Sequence, residues 1–122
     1  MTARVFMPQE PMKMIDRIWV PSHDTRKLFD FGEVIVCAPP GRMIFSTAPI
    51  VMSMKEKLTD FTDDDFIVGI GDPSLLGIIC ALAAHYNRGK FKILKWDKEI
   101  KRYIPVQVDL FQKLGQLEEG GN

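Results

Sequence analysis

What the sequence lacks sets its first limits. Its 122 residues carry no net charge, since 16 basic side chains balance 16 acidic ones. Whole-molecule attraction to nucleic acid or to an anionic membrane is therefore absent, and only local patches can supply it. Cysteine is scarce. Cys37 and Cys80 each sit inside an apolar run, with no metal-ligand spacing between them, so they read as small free hydrophobes in a reducing compartment. Long hydrophobic runs are missing too. The longest, Phe66 to Ala84, is broken by Asp72 and Pro73, leaving too short a span for a bilayer. No charged-then-apolar leader opens the chain, so the expectation is a soluble protein of the cytoplasm without membrane contact.

The length suits one ordinary domain, and the apolar fraction is that of a globular protein that needs no cross-link or metal to fold. Residues 1–15 hold four methionines and two prolines without a clear period and read as an extended or disordered arm. Residues 16–112 read as a single α/β domain and 113–122 as a frayed tail. Within the domain, Arg17 to Val20 is a short strand candidate. Ser22 to Phe31 is a polar connection with one helical turn.

The apolar, β-branched runs Glu33–Ala38 and Phe66–Ile70 have the pattern of central parallel strands covered on both faces. Between them Val51, Met54, Leu58 and Phe61 recur at helical spacing after Ser46, Thr47 and Pro49, which predicts an amphipathic helix ending near Asp60. A second helix is expected over about Pro73 to Asn87, with Asp72 as N-cap, Pro73 at the first helical position and Gly89 past the end. Leu75, Leu76, Ile78, Ile79, Leu82 and Ala83 wrap most of this helix, and Gly77, Ala81 and Ala84 form a small-residue stripe. It needs more cover than one sheet face supplies, from other elements or from a subunit interface; a homo-oligomer is expected, with a dimer favoured.

Lys90 to Trp96 predicts a further strand, and Arg102 to Leu110 an antiparallel return after a turn at Asp97 to Lys101. Ile104, Val106, Val108 and Leu110 are expected on its buried face, with Tyr103, Pro105, Gln107 and Asp109 on the wet one. Pro105 assigns the strand to a sheet edge. The fold class is α/β, a small mostly parallel sheet with right-handed strand–helix–strand crossovers, two main helices and an antiparallel C-terminal edge, Rossmann-like in two or three layers, with strand order open.

The stretch DFIVGIGDPSLLG, Asp65 to Gly77, places a glycine pair before a helix start, as phosphate-binding loops do. Counting from Gly69 and Gly71, however, the sixth position is Ser74 where a dinucleotide fingerprint needs glycine. Asp72 sets a carboxylate where a phosphate would lie, and Pro73 removes a backbone donor. The pair is read as a tight turn with Asp72 as cap. Carboxyl ends of parallel strands still bind ligands in α/β folds, and Arg42, Gly71, Asp72 and Asp97 are candidate ligand-loop residues there. No nucleophile or base accompanies them, so no catalytic residue, cofactor or metal is assigned and an enzyme is the less favoured reading.

Ser22–His23–Asp24 holds the residue types of a catalytic triad, but adjacent side chains cannot converge on one reacting atom; it reads as a polar turn. Asp63, Asp64 and Asp65 lack the loop spacing of a calcium site and read as a solvated turn. His85, near a helix end, reads as structural. The strongest asymmetry is Arg88, Lys90, Lys92, Lys95, Lys98, Lys101 and Arg102 against only Asp97 and Glu99, with Tyr86, Trp96 and Tyr103 interleaved. Such a surface can neutralise phosphates and stack bases of a single strand. Lysine-rich edges also deter edge-to-edge aggregation.

Gly71–Asp72–Pro73, Asn87–Arg88–Gly89, Leu94–Lys95–Trp96–Asp97 and Arg102–Tyr103–Ile104–Pro105 together resemble a group of small uncharacterised proteins of marine and cyanobacterial bacteriophages, over about Asp30 to Leu110. The resemblance implies a viral product in the cytoplasm of an infected bacterium and transfers no activity. The expectations are, first, a non-enzymatic adaptor or accessory protein that self-associates and binds host or phage machinery. A single-stranded nucleic-acid binder using the C-terminal hairpin comes second, and a small-molecule enzyme at the strand ends third.

Overall fold

Arg4–Met7 (β1) is an interior strand of the sheet, in the stretch expected to be a loose arm. The computed structural model describes residues 3–22, 24–39 and 48–113. Val5, Phe6 and Met7 are at most 2% exposed, because β1 is covered on both faces, where an apolar triplet is stabilised by about 1.5–3 kcal/mol per side chain. The 1–15 boundary therefore falls inside the fold. A run of only three apolar residues beside Pro8 carried too little periodicity to show it.

After β1 the chain makes an antiparallel ribbon, Met12–Ile15 (β2) and Ile18–Pro21 (β3), with Ile15 opposite Ile18. The two loop residues Asp16 and Arg17 both have positive φ, 50° and 67°, as a tight hairpin turn that matches strand twist requires. A 3-10 turn, Arg26–Asp30, leads into Glu33–Val36 (β4), then Ala48–Leu58 (α1), Phe66–Val68 (β5), Pro73–Tyr86 (α2), Lys90–Asp97 (β6) and Arg102–Asp109 (β7).

The five-stranded sheet runs β4-β1-β5-β6-β7, parallel except for β7. The mostly parallel sheet, the two helices and the antiparallel C-terminal edge are as the sequence led one to expect. Glu33–Ala38, however, supplies an edge strand, since β1 inserts between it and β5. The crossovers β4 to β5 and β5 to β6 run the same way across the sheet, so right-handedness puts α1 and α2 on one face; β1 to β4 runs backwards, so its connection covers the other. Phe6, Ile67, Met54, Leu58, Leu75 and Ile79 fill the helical side. Val5, Met7, Val68, Leu94 and Tyr103 pack around Leu28 of the 3-10 turn on the opposite side.

The amino ends of β1 and β5 are tied by Asp65, itself 2% exposed. Its carboxylate accepts from Arg4 N at 3.0 Å, Arg4 Nη2 at 2.7 Å and Thr62 N at 2.9 Å, while Arg4 Nη1 reaches Asp60 at 2.9 Å. These partners raise the Arg4 guanidinium further above its usual range, Asp65 most of all.

Pro105 and Gln107 of β7 are exposed as expected, but the apolar positions of the strand are not the buried ones. Tyr103 is buried, whereas Ile104, Val106 and Leu110 are exposed and Val108 is half-buried. The 3-10 turn covers the Tyr103 side, while α2 packs on β6 and stops short of β7.

Candidate functional site

Two locations qualify by position, the carboxyl ends of the parallel strands and the C-terminal hairpin. At the first, Gly71 takes φ +116° and a Cβ there would lie 2.9 Å from Cβ of Gln9, so glycine is required. Gly69 has no such conformation and would admit a methyl group 3.6 Å from Ile93. Asp72 caps α2, its carboxylate accepting from Ser74 N at 2.8 Å, and its carbonyl accepts from Leu75 N and Leu76 N. Asp72 N–H itself donates to Oε1 of Gln9 at 3.0 Å, and Gln9 Nε2 donates to the Pro39 carbonyl at 3.0 Å. Gln9, only 7% exposed, thus fills the crevice between diverging connections where open α/β sheets take ligands. Each N–H at this helix start already has a partner and Pro73 has none to offer, so no cradle for phosphate remains. Gln9 gave no signal in the sequence, because its role depends on β1 being an interior strand.

Of the candidate ligand-loop residues, Arg42 lies outside the described residues. Asp72 is committed to its cap. Asp97 accepts from Glu99 N at 2.9 Å and Ile100 N at 3.1 Å, which closes the β6–β7 turn. The structure does not bring Asp72 and Asp97 into one pocket.

The second location is a cleft of about 790 Å³ under the hairpin, lined by Gly69, Ile70, Ile93, Leu94, Trp96, Tyr103 and Val106, with Asp24, Lys27, Lys95, Lys98 and Lys101. It exists because β6 and β7 outrun their neighbour: β5 ends opposite Leu94, and Lys95 to Asp97 project beyond it. The volume falls in the range of ligand pockets, whose walls are mostly apolar with a few placed polar groups. Trp96 is 41% exposed. Its ring meets Tyr103 edge-on at 5.0 Å between centroids, and Nζ of Lys27 stands 5.6 Å from its centroid. Lys27 also donates to the Lys101 carbonyl at 2.8 Å, joining the 3-10 turn to the hairpin tip. Burial pushes the Tyr103 phenol up, with a smaller contribution from Asp24. Tyr103 is therefore a wall behind Trp96, which leaves Trp96 as the accessible ring.

Among the described residues the single carboxylate of the lining, Asp24, is held by Arg26 at 2.8 Å, a partner that brings it down to about 2. The lining is accordingly cationic, with four lysines around an apolar floor. Lys27 was not among the residues singled out in the sequence, since its turn precedes the basic stretch by some sixty positions. Five that were, Lys95, Trp96, Lys98, Lys101 and Tyr103, meet here. The others disperse. Arg102 borders an adjoining recess that shares Lys27, Lys101 and Tyr103 with the cleft and adds Asp30, Phe31 and Ile100. Lys90 and Lys92 stand near the opposite ends of the strands, in a small hollow with Asp63 and Asp109, where Lys92 Nζ lies 4.1 Å above the Phe66 ring. Arg88 occupies the turn after α2 with φ +56°.

The remaining polar motifs serve the scaffold. Asp63 accepts from Asn87 Nδ2 at 2.8 Å, His85 lies edge-on to Tyr86, and His23 is outside the described residues. Among the described residues no cluster of histidine, cysteine or carboxylate side chains can hold a metal ion. Among them, too, no helix is long and apolar enough to cross a membrane.

Residues 3–110 match the family model described as phage Pam3 gp32-like protein, and the chain belongs to that family. The phage character suggested by the C-terminal motifs is borne out, and the match extends through β1, well before Asp30 where the resemblance had begun. It carries no information on a marine or cyanobacterial source. No curated protein and no solved structure matches the chain.

Proposed function

We propose that this phage protein is a non-enzymatic binding protein whose cleft under the β6–β7 hairpin takes single-stranded nucleic acid. One observation carries the reading: a concavity of about 790 Å³ gathers Lys27, Lys95, Lys98 and Lys101 around the exposed ring of Trp96, and Asp24, the one carboxylate of its described lining, is already paired. A base stacked on Trp96 would place its flanking phosphates among the lysines, a sequence-tolerant mode in which rings grip and cations neutralise.

The test is fluorescence anisotropy of a labelled oligothymidylate across a salt series. Four phosphate contacts give a log–log salt slope near −2.8, from about −0.7 per contact for single strands. Trp96→Ala is expected to weaken binding by about 1–3 kcal/mol, or roughly 5- to 150-fold. Lys98→Glu, on an exposed turn, weakens it without touching the core, and Lys90→Ala, at the far end of the strands, leaves it unchanged. No binding at low salt, or equal losses for Lys98→Glu and Lys90→Ala, would overturn the assignment.

The adaptor reading, in which the protein self-associates and contacts host or phage proteins, draws support from apolar surface away from this cleft. The two are compatible in one binding protein.

A further inference from the structure

The recess of Asp30, Phe31, Ile100 and Arg102 adjoins the cleft and has a volume of about 420 Å³, within the range of ligand pockets. Its charges differ in kind from those of the cleft. There the Asp24 carboxylate is taken up by Arg26; here, among the described residues, neither the Asp30 carboxylate nor the Arg102 guanidinium has a hydrogen bond or an ion pair. Two opposite charges thus line one recess without closing on each other, which leaves room for a ligand between them. Phe31 supplies an apolar wall. Its ring is half-buried and fixed edge-on against Phe66, 5.5 Å between centroids.

We infer that this recess is a second base subsite of the same strand and that it selects guanine, an inference that rests on the reading of the cleft as a single-strand site. A phosphate is the wrong occupant, because the unneutralised Asp30 would repel it. A base is the right one, since the unstacked bases of a single strand lie on aromatic walls and are hydrogen-bonded along their edges. Asp30, when ionised, only accepts. Guanine presents it with two adjacent donors, N1–H and the 2-amino group, which one carboxylate can take together. Thymine offers a single N–H between two carbonyls, and cytosine and adenine set a ring acceptor beside their amino group. Guanine also carries O6 and N7, the acceptors that an arginine fork matches, and Arg102 is the free donor of the recess.

Lys27 joins the two subsites. It lines both hollows, and its Nζ stands 5.6 Å from the Trp96 centroid while donating to the Lys101 carbonyl at 2.8 Å. An ammonium carries three donors, so those not spent on Lys101 remain for the phosphate that links a base on Trp96 to its neighbour in the recess. The site therefore takes two successive nucleotides, one held by stacking whatever its sequence and the next read along its edges.

Anisotropy with the full chain compares an oligothymidylate of about eight nucleotides with the same strand carrying one guanine, adenine or cytosine, which can slide to seat that base in the recess. The guanine strand should bind about 5- to 150-fold more tightly than the others, the range of one bidentate base contact. Inosine in its place, lacking the 2-amino donor, should fall back toward the thymidylate value. Asp30→Asn, on an exposed side chain, should make the guanine and thymine strands bind alike. Equal affinity of the native chain for every strand, or a guanine preference that survives Asp30→Asn, would overturn the subsite and leave the cleft reading standing. Guanosine monophosphate competing as strongly as the guanine strand would make the ligand a free nucleotide and overturn the two-nucleotide site. No binding of any strand would remove the cleft reading itself, and the subsite with it.

Discussion

Replacing Asp65 with alanine should be the most damaging polar substitution in the body of the protein. The carboxylate is 2% exposed and accepts from two backbone N–H groups and from Nε and Nη2 of Arg4, whose side chain is 20% exposed. Removing it strands those donors and leaves a half-buried cation without its main counter-charge. Breaking a buried pair from one side costs about 3–5 kcal/mol, against a total stability of about 5–15 kcal/mol for a domain. Asp60, the other partner of Arg4, has a side chain 77% exposed, and its loss should cost no more than about 1 kcal/mol. Urea unfolding followed by far-ultraviolet circular dichroism reads both. Asp65→Ala should lower the midpoint sharply at unchanged slope, with the melting temperature falling by roughly 10–20 °C. Equal, small effects for the two aspartates would refute the reasoning, because the difference rests wholly on burial.

Two further outcomes follow from the same physics. Gly71→Ala forces a side chain into φ +116° and against Gln9 and should cost about 1–3 kcal/mol, while Gly69→Ala should change stability by less than about 1 kcal/mol; similar melting temperatures for the two would contradict the turn geometry. Burial pushes the Cys37 thiol up from 9.0 to about 11. The folded state therefore holds the proton more tightly, and this contribution is complete below pH 9 and lost as pH rises toward 11. The loss is about 2–3 kcal/mol, readable as a falling urea midpoint over that interval which Cys37→Ala flattens; an identical alkaline slope in the variant would count against it.

Local chemistry was legible from the chain. Asp72, Pro73 and Gly89 bound α2 at the expected ends because caps and positive φ are properties of a few adjacent residues. The apolar runs of β4 and β5 showed a parallel sheet for the same reason. Position in the sheet was not local. Arg4–Met7 became an interior strand, and Gln9 the plug of the strand-end crevice, only because β1 inserts between β4 and β5. The faces of β7 likewise depended on what lay above them: alternation separates two faces but cannot say which will be covered, and here the 3-10 turn with Leu28 buries the Tyr103 side.

The cleft shows the same division. Its lysines and Trp96 stand out in the sequence as a basic and aromatic stretch, yet only the overhang of β6 and β7 beyond β5, together with Lys27 from a distant turn, selects five of the nine expected contacts and disperses the rest. Sequence by itself determined which segments form helices and strands, how they are capped and where charge concentrates, since those follow from neighbours within a few residues. Tertiary structure alone decided which strands are interior and which lie at the edges, which apolar face stays open and which cations converge, because each depends on contacts between segments far apart in the chain.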